Sequence, residues 1–270
     1  MNPAGITTAR AVLSPCTGVC RLDAHGYCEG CRRTGDEIAS WLQWDDATRG
    51  RYMDDILPER MAALESRRAD ELARIVRALH PLALAPVAPA WNRAELEDLL
   101  PEPARMTSAA VLVGLVPRGG DWQVLLTLRT ADLRQHAGQV SFPGGRIEPT
   151  DADPIAAAIR EAHEEIGLAP AHVQPLGYLD PYDTISSYHV LPVVARVSPD
   201  YSLTLDPHEV ADAFEVPLAY LLDSANIRIV EREYAGRLRR YHEYLHGRHH
   251  IWGATAAMLV NLRHRLEIGQ

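Results

Sequence analysis

Three glutamates stand within five positions of the segment R-E-A-H-E-E-I-G-L, residues 160–168. Residues three and four apart share a helix face, so Glu161, Glu164 and Glu165 would project their carboxylates into one small region. Like charges at that spacing repel, whereas an ordinary solvated helix face alternates signs. A positive partner is therefore expected among them. Hard divalent cations such as Mg2+ or Mn2+ take oxygen ligands and bridge to phosphates, which is the chemistry such a cluster can serve. The plain alternative is an exposed acidic face.

A second group with chemical potential is Cys16-x3-Cys20-x7-Cys28-x2-Cys31, which holds every cysteine of the chain. Four thiolates in one short loop suit tetrahedral Zn2+ or an iron-sulfur cluster, and in a reducing compartment ligation is favoured over disulfides. His242, His246, His249 and His250 are also close in sequence. The turn at Gly247 puts them on different sides of a hairpin, so they read as hairpin surface rather than a metal site.

The elements that must position these groups follow from pattern and composition. The chain has 270 residues, 47 % hydrophobic composition and net charge -9, enough for a real core and unsuited to general attraction of nucleic acid. An anionic substrate would need a local cation to meet it. No apolar run reaches the roughly 20 residues of a membrane span, and no secretory apolar segment opens the chain, so a cytoplasmic location without a membrane partner is expected. Helical patterns run over about 36–55 and 59–80, so residues 1–80 form a cysteine-rich, metal-stapled helical module, with Trp41, Leu42 and Trp44 covering the metal knot. Five prolines then mark residues 81–106 as a connector with at most a short helix near 93–99.

Beyond it, AAVLVGLVPR and WQVLLTLR form a hairpin around a Gly-Gly-Asp turn. The segment 153–167 is the best helix of the chain, opened by Asp-Pro and stopped by Gly167. Strands are expected near 173–179, 189–197, 228–234 and 239–246, and a last helix over 253–266.

The run G145-R-I-E-P-T-D151 followed by R160-E-A-H-E-E-I-G-L168 resembles the Nudix box, G-x5-E-x7-R-E-U-x-E-E-x-G-U with U apolar. Its second half matches at every defined position. Its first half has Asp151 in place of Glu, and eight residues rather than seven before Arg160. Upstream, L125-L-T-L-R-T-A-D-L-R-Q-H-A-G-Q-V-S-F-P-G-G145 resembles the signature of the coenzyme A pyrophosphatase branch, departing only at Thr130. Residues 208–218 and 250–256 also look like bacterial members of that branch. The cysteine segment resembles a short bacterial domain of unknown function.

The resemblance implies an α/β fold, a Nudix α/β/α sandwich with a mixed sheet over 107–270, preceded by the small metal-stapled helical module. It implies Mg2+- or Mn2+-dependent hydrolysis of coenzyme A or its thioesters to adenosine 3′,5′-bisphosphate and 4′-phosphopantetheine. Glu161, Glu164 and Glu165 would hold the metal, and Glu209 would be the general base, with Glu215 as the alternative because both fall on an expected loop before Pro217. Arg160, with Asp151 and Gly167, would orient the helix and its preceding loop. Arg129 and Arg134 would meet phosphate, and Gly138, Gln139, Phe142, Gly144 and Gly145 would line the same pocket. Expected partners are a small-molecule substrate and no nucleic acid, and a homodimer is compatible with the sequence. A pyrophosphatase for ADP-ribose, NADH or nucleoside triphosphates is the nearest rival reading, and a non-catalytic ligand sensor the next.

Overall fold

The computed structural model describes residues 13–23, 25–132 and 136–268. The chain divides into a unit ending at Asp70 and a unit from Glu71 onward. That division falls inside a helix rather than within residues 81–106.

In the first unit, helix α1 (Gly35–Ser40) is opened by a capping box: Thr34 accepts from the Glu37 amide while Glu37 accepts from the Thr34 amide. Helix α2 (Asp46–Arg51) follows, and α3 (Leu57–Ala78) begins here and ends in the second unit. Trp41 is buried with its indole N–H donating to the Leu13 carbonyl, and the Arg33 guanidinium lies over its ring. Leu42 is largely exposed and so does not join the cover expected of it. A cavity of about 260 Å3 is lined by Cys31, Met53, Leu57 and Met61 among others.

The second unit is built on an eight-stranded sheet. Helix α4 (Arg93–Leu96) precedes it, as does a segment whose Asn92 and Arg93 side chains bond to the backbone carbonyl and the carboxylate of the buried Asp183. The residues read as a connector are thus tied into this unit. The sheet holds β1 (Thr107–Arg118), β2 (Asp121–Arg129), β3 (Val140–Ser141), β4 (Gly144–Arg146), β5 (Val173–Tyr178), β6 (Tyr182–Asp183), β7 (Tyr188–Val197) and β8 (Val210–Pro217). β1 pairs with β7 in parallel and with β2 and β4 antiparallel, which makes the sheet mixed. β1 and β2 form the expected hairpin, Arg118 opposite Asp121. β8 pairs along β2, where a loop was expected.

β1 is apolar on both faces because both are covered. On one side lies helix α5 (Pro154–Ile166), whose Ala157, Ala158 and Ala162 allow a close approach to Ala110 and Leu112. On the other lies α7 (Gly253–Ile268), buried nearly all round, with α6 (Leu218–Leu222), the last turns of α3 through Ile75 and Ala78, and Leu79 just beyond them. The result is the expected α/β/α sandwich. A separate three-stranded sheet joins β9 (Arg228–Tyr234), β10 (Arg237–His246) and β11 (His249–Trp252), with β9 at its edge. No described helix is long and apolar enough to cross a membrane.

Candidate active site

Helix α5 is specified locally. The Asp153 carboxylate accepts from the Ala156 amide, Pro154 sets the first turn, and Gly167 ends the helix at φ 69°. The Gly167 position also lacks room for a side chain, because a Cβ would come within 2.9 Å of the Thr204 amide nitrogen. Thr204 and Asp206 in turn donate their amides to the carbonyls of Ile166 and Glu165. The turn that carries Glu209 is therefore fastened to the end of α5.

Glu165 is 4 % exposed, and its carboxylate accepts from the Gly144 amide at 3.2 Å and faces the Arg129 guanidinium at 3.4 Å. Burial pushes its pKa up to about 7. Arg129 and the Gly144 amide oppose that shift, while Glu209 and Glu161 add to it. Glu161 is likewise raised by burial, against the pull of Arg160, and by Glu164 and Glu209. These four carboxylates therefore share one electrostatic environment. Glu164 and Glu209 are the solvent-facing members, with side chains 57 % and 47 % exposed. Glu209 lies 3.9 Å from Arg129. The Glu161 carboxylate lies directly over Gly145, so a Cβ there would meet its oxygens at 2.5 Å.

Arg160 ties the loop before α5 to the helix. It donates to both oxygens of Asp151 at 3.0 Å, to the Arg146 carbonyl at 3.0 Å, and to Glu161 and Glu164 at 3.0 and 2.9 Å. Arg160 hydrogen bonding holds the Asp151 carboxyl below its ordinary range despite its burial. The shorter acid in a loop one residue longer still reaches the guanidinium on both oxygens.

The other site expectations separate. Gly144 and Gly145 lie under the carboxylates, and Gly138 and Gln139 close the turn back onto Thr130 and Arg129 through backbone hydrogen bonds. Phe142 is buried in the core shared with α7 and so does not line a surface pocket. Arg134 lies outside the described residues. Glu215 is a strand residue held by Arg118 and Tyr201 at the far end of β8 and is not with the other acids. The link from Thr204 and Asp206 to α5 was not read from sequence, since loop-to-helix backbone bonding leaves no periodic signal.

Cys28 and Cys31 are buried, whereas Cys16 and Cys20 are exposed. Cys28 bonds the Val19 carbonyl at 3.0 Å, and Arg33 donates to the Cys31 sulfur at 3.2 Å. Burial raises the Cys31 pKa, and hydrogen bonds from Arg33 and Cys28 outweigh it, leaving the thiol below its ordinary range. Among the described residues, no three His, Cys, Asp or Glu side chains are gathered closely enough to hold a metal ion. In the acidic site, two guanidiniums stand between the carboxylates: Arg160 on Glu161 and Glu164, and Arg129 on Glu165 and Glu209. His246 and His249 face each other across the β10–β11 turn, and His250 instead bonds Glu243 at 2.7 Å.

Residues 106–235 match the family described as NUDIX domain, and residues 14–61 the family described as Protein of unknown function (DUF1289). A relative named Uncharacterized Nudix hydrolase NudL from Photorhabdus laumondii subsp. laumondii is 39 % identical over 181 residues, covering 66 % of this chain and 96 % of its own. The protein of the same name from Escherichia coli (strain K12) is 40 % identical over 163 residues, covering 60 % and 82 %. Among solved structures, a C. elegans Ap4A hydrolase binary complex is 22 % identical with a TM-score of 0.36, covering 41 % of this chain and 80 % of that one.

Proposed function

The chain belongs to the Nudix hydrolase family, and from that membership we propose that it hydrolyses the diphosphate bridge of coenzyme A or an acyl-CoA, releasing adenosine 3′,5′-bisphosphate and 4′-phosphopantetheine. The reading is carried by the four acids Glu161, Glu164, Glu165 and Glu209, three on α5 and one just before β8, whose mutual proximity adds to the raised pKa of the two more buried members, Glu161 and Glu165. All their donor atoms are hard oxygens, the set that favours Mg2+ or Mn2+ over softer ions. When bound there, such an ion neutralises diphosphate charge and acidifies a water.

The chain's own groups supply the rest. Glu209, carried by a turn fixed at both ends, takes the proton of the attacking water. The water oxygen bonds to one phosphorus while the bridging P–O bond breaks, and the bridging oxygen leaves with its electron pair as a phosphate monoester. Arg160 positions Glu161 and Glu164 without reaching the reacting atoms. Arg129 and Arg134 are the cations for substrate phosphate. The coenzyme A assignment rests on the segment 125–145, which resembles that branch's signature.

The test is Mg2+-dependent turnover of coenzyme A, acetyl-CoA, ADP-ribose and NADH by the full chain, with products identified by mass. Coenzyme A and its thioester should be the preferred substrates, and Glu164→Gln should lower turnover by about 100-fold or more. Faster release of AMP from ADP-ribose would assign the site to that substrate. Undiminished turnover in Glu164→Gln would remove the acidic cluster from the chemistry.

A further inference from the structure

Arg129 closes β2 with its guanidinium inside the acidic site. The pairing of β2 with β8 is irregular between Leu128 and Arg129, so Arg129 comes opposite Val210, next to Glu209. The Thr130 amide and hydroxyl donate to the Glu209 and His208 carbonyls at 3.0 and 3.1 Å, which fixes the strand end to that turn. Arg129 thereby spans the most buried carboxylate of α5 and the carboxylate delivered by the turn. It lies 3.4 Å from Glu165 and 3.9 Å from Glu209.

These contacts are loose for a guanidinium. Charge-assisted N–H to carboxylate bonds close at about 2.7–2.9 Å, and the buried Arg129 Nε has no hydrogen-bond partner among the described residues. Arg160, a few residues from the same acids, shows what a positional arginine looks like here: Nε, Nη1 and Nη2 all donate, each at about 3 Å. Arg129 balances charge without being hydrogen-bonded to saturation. A planar cation with unused donors, beside carboxylates that a divalent ion would also seek, is suited to exchange its partners for phosphate oxygens.

Resting on the function proposed above, we propose that Arg129 is a catalytic residue that binds the scissile diphosphate rather than the 3′-phosphate of the nucleotide. It pairs with Glu165 and Glu209 in the site as it stands, and with Glu165 given over to the divalent ion it would hold, the donors of Arg129 would be free for the non-bridging oxygens of the diphosphate. The same geometry makes Arg129 a competitor of that ion.

Two measurements on the full chain test this. Mn2+ alone, titrated by calorimetry, should bind Arg129→Gln about 3- to 10-fold more tightly than wild type, because the competing cation is gone. Arg129→Lys, which keeps a cation, should stay near the wild-type affinity. Turnover by Arg129→Gln should fall about 100-fold on coenzyme A and by the same factor on dephospho-coenzyme A, which lacks the 3′-phosphate. Arg129→Lys, losing only the planar fork, should lose less. A turnover loss confined to coenzyme A, or an Mn2+ affinity that is unchanged or weaker in Arg129→Gln, overturns the inference while wild-type activity leaves the hydrolase reading intact. A wild-type chain that binds no Mn2+ and cleaves neither compound overturns both.

Discussion

Glu165 is the residue in which the conflict between folding and chemistry is concentrated. Its carboxylate is almost fully covered, and burial moves its pKa from the ordinary range near 4 up to about 7. The folded value lies above the unfolded one, so the protonated form favours the fold. That contribution is complete below about pH 4 and is lost as pH rises through about 7. Glu165→Gln keeps the shape and removes the charge. Its thermal unfolding should therefore show a gain of about 2–3 kcal/mol at pH 8 without added metal, shrinking to nothing near pH 4. A variant less stable than wild type at pH 8 would show that the Arg129 ion pair outweighs the cost of burial. The spacing of Glu161, Glu164 and Glu165 was readable because a helix repeats locally. The approach of Arg129 was not, since it comes from a residue 36 positions away across a sheet. Likewise Phe142 sits inside a sequence pattern that looks like a pocket, yet its ring points into the α7-side core.

At the scale of elements, the turn formed by β4 is as specific as the helix it faces. A Cβ on Gly144 would lie 2.6 Å from the Val111 Cα, and the backbone of β1 cannot yield. A Cβ on Gly145 would instead meet the Glu161 carboxylate, the far end of a flexible side chain. Gly144→Ala should accordingly cost about 1–3 kcal/mol in unfolding, whereas Gly145→Ala should unfold nearly as wild type. The second variant should nevertheless lose most diphosphate hydrolysis, because its Glu161 is pushed aside. Equal stability losses in the two would contradict this division of labour. Helix α5 was legible almost to the residue, from an Asp-Pro start and a glycine stop whose effects are local. β8 was not, because V-A-D-A-F-E-V-P has little alternation of its own and becomes a strand by pairing along β2.

At the scale of the molecule, every acid of the proposed site lies in the unit that begins at Glu71, and every cysteine in the other. Cys28→Ser should thus leave diphosphate hydrolysis within about twofold of wild type. Elemental analysis should find one Zn2+ or an iron-sulfur cluster in the wild-type chain and none in the variant, if the four thiols ligate together. Loss of hydrolysis in Cys28→Ser would show that the two units work as one. The layer order was implied by the resemblance to the Nudix family, and the change of hydrophobic period along the chain marked only where the sheet begins. Ile75, Ala78 and Leu79 continue the periodic pattern of the segment 59–80 and belong to the core beneath α7. The outer rim of β9, with Arg228, Glu231, Arg232 and Glu233 along it, has a consequence for crowded solutions. A stray extended peptide zippering there would have to strip hydration from alternating guanidiniums and carboxylates, so the open rim should resist runaway fibre growth even at high protein concentration.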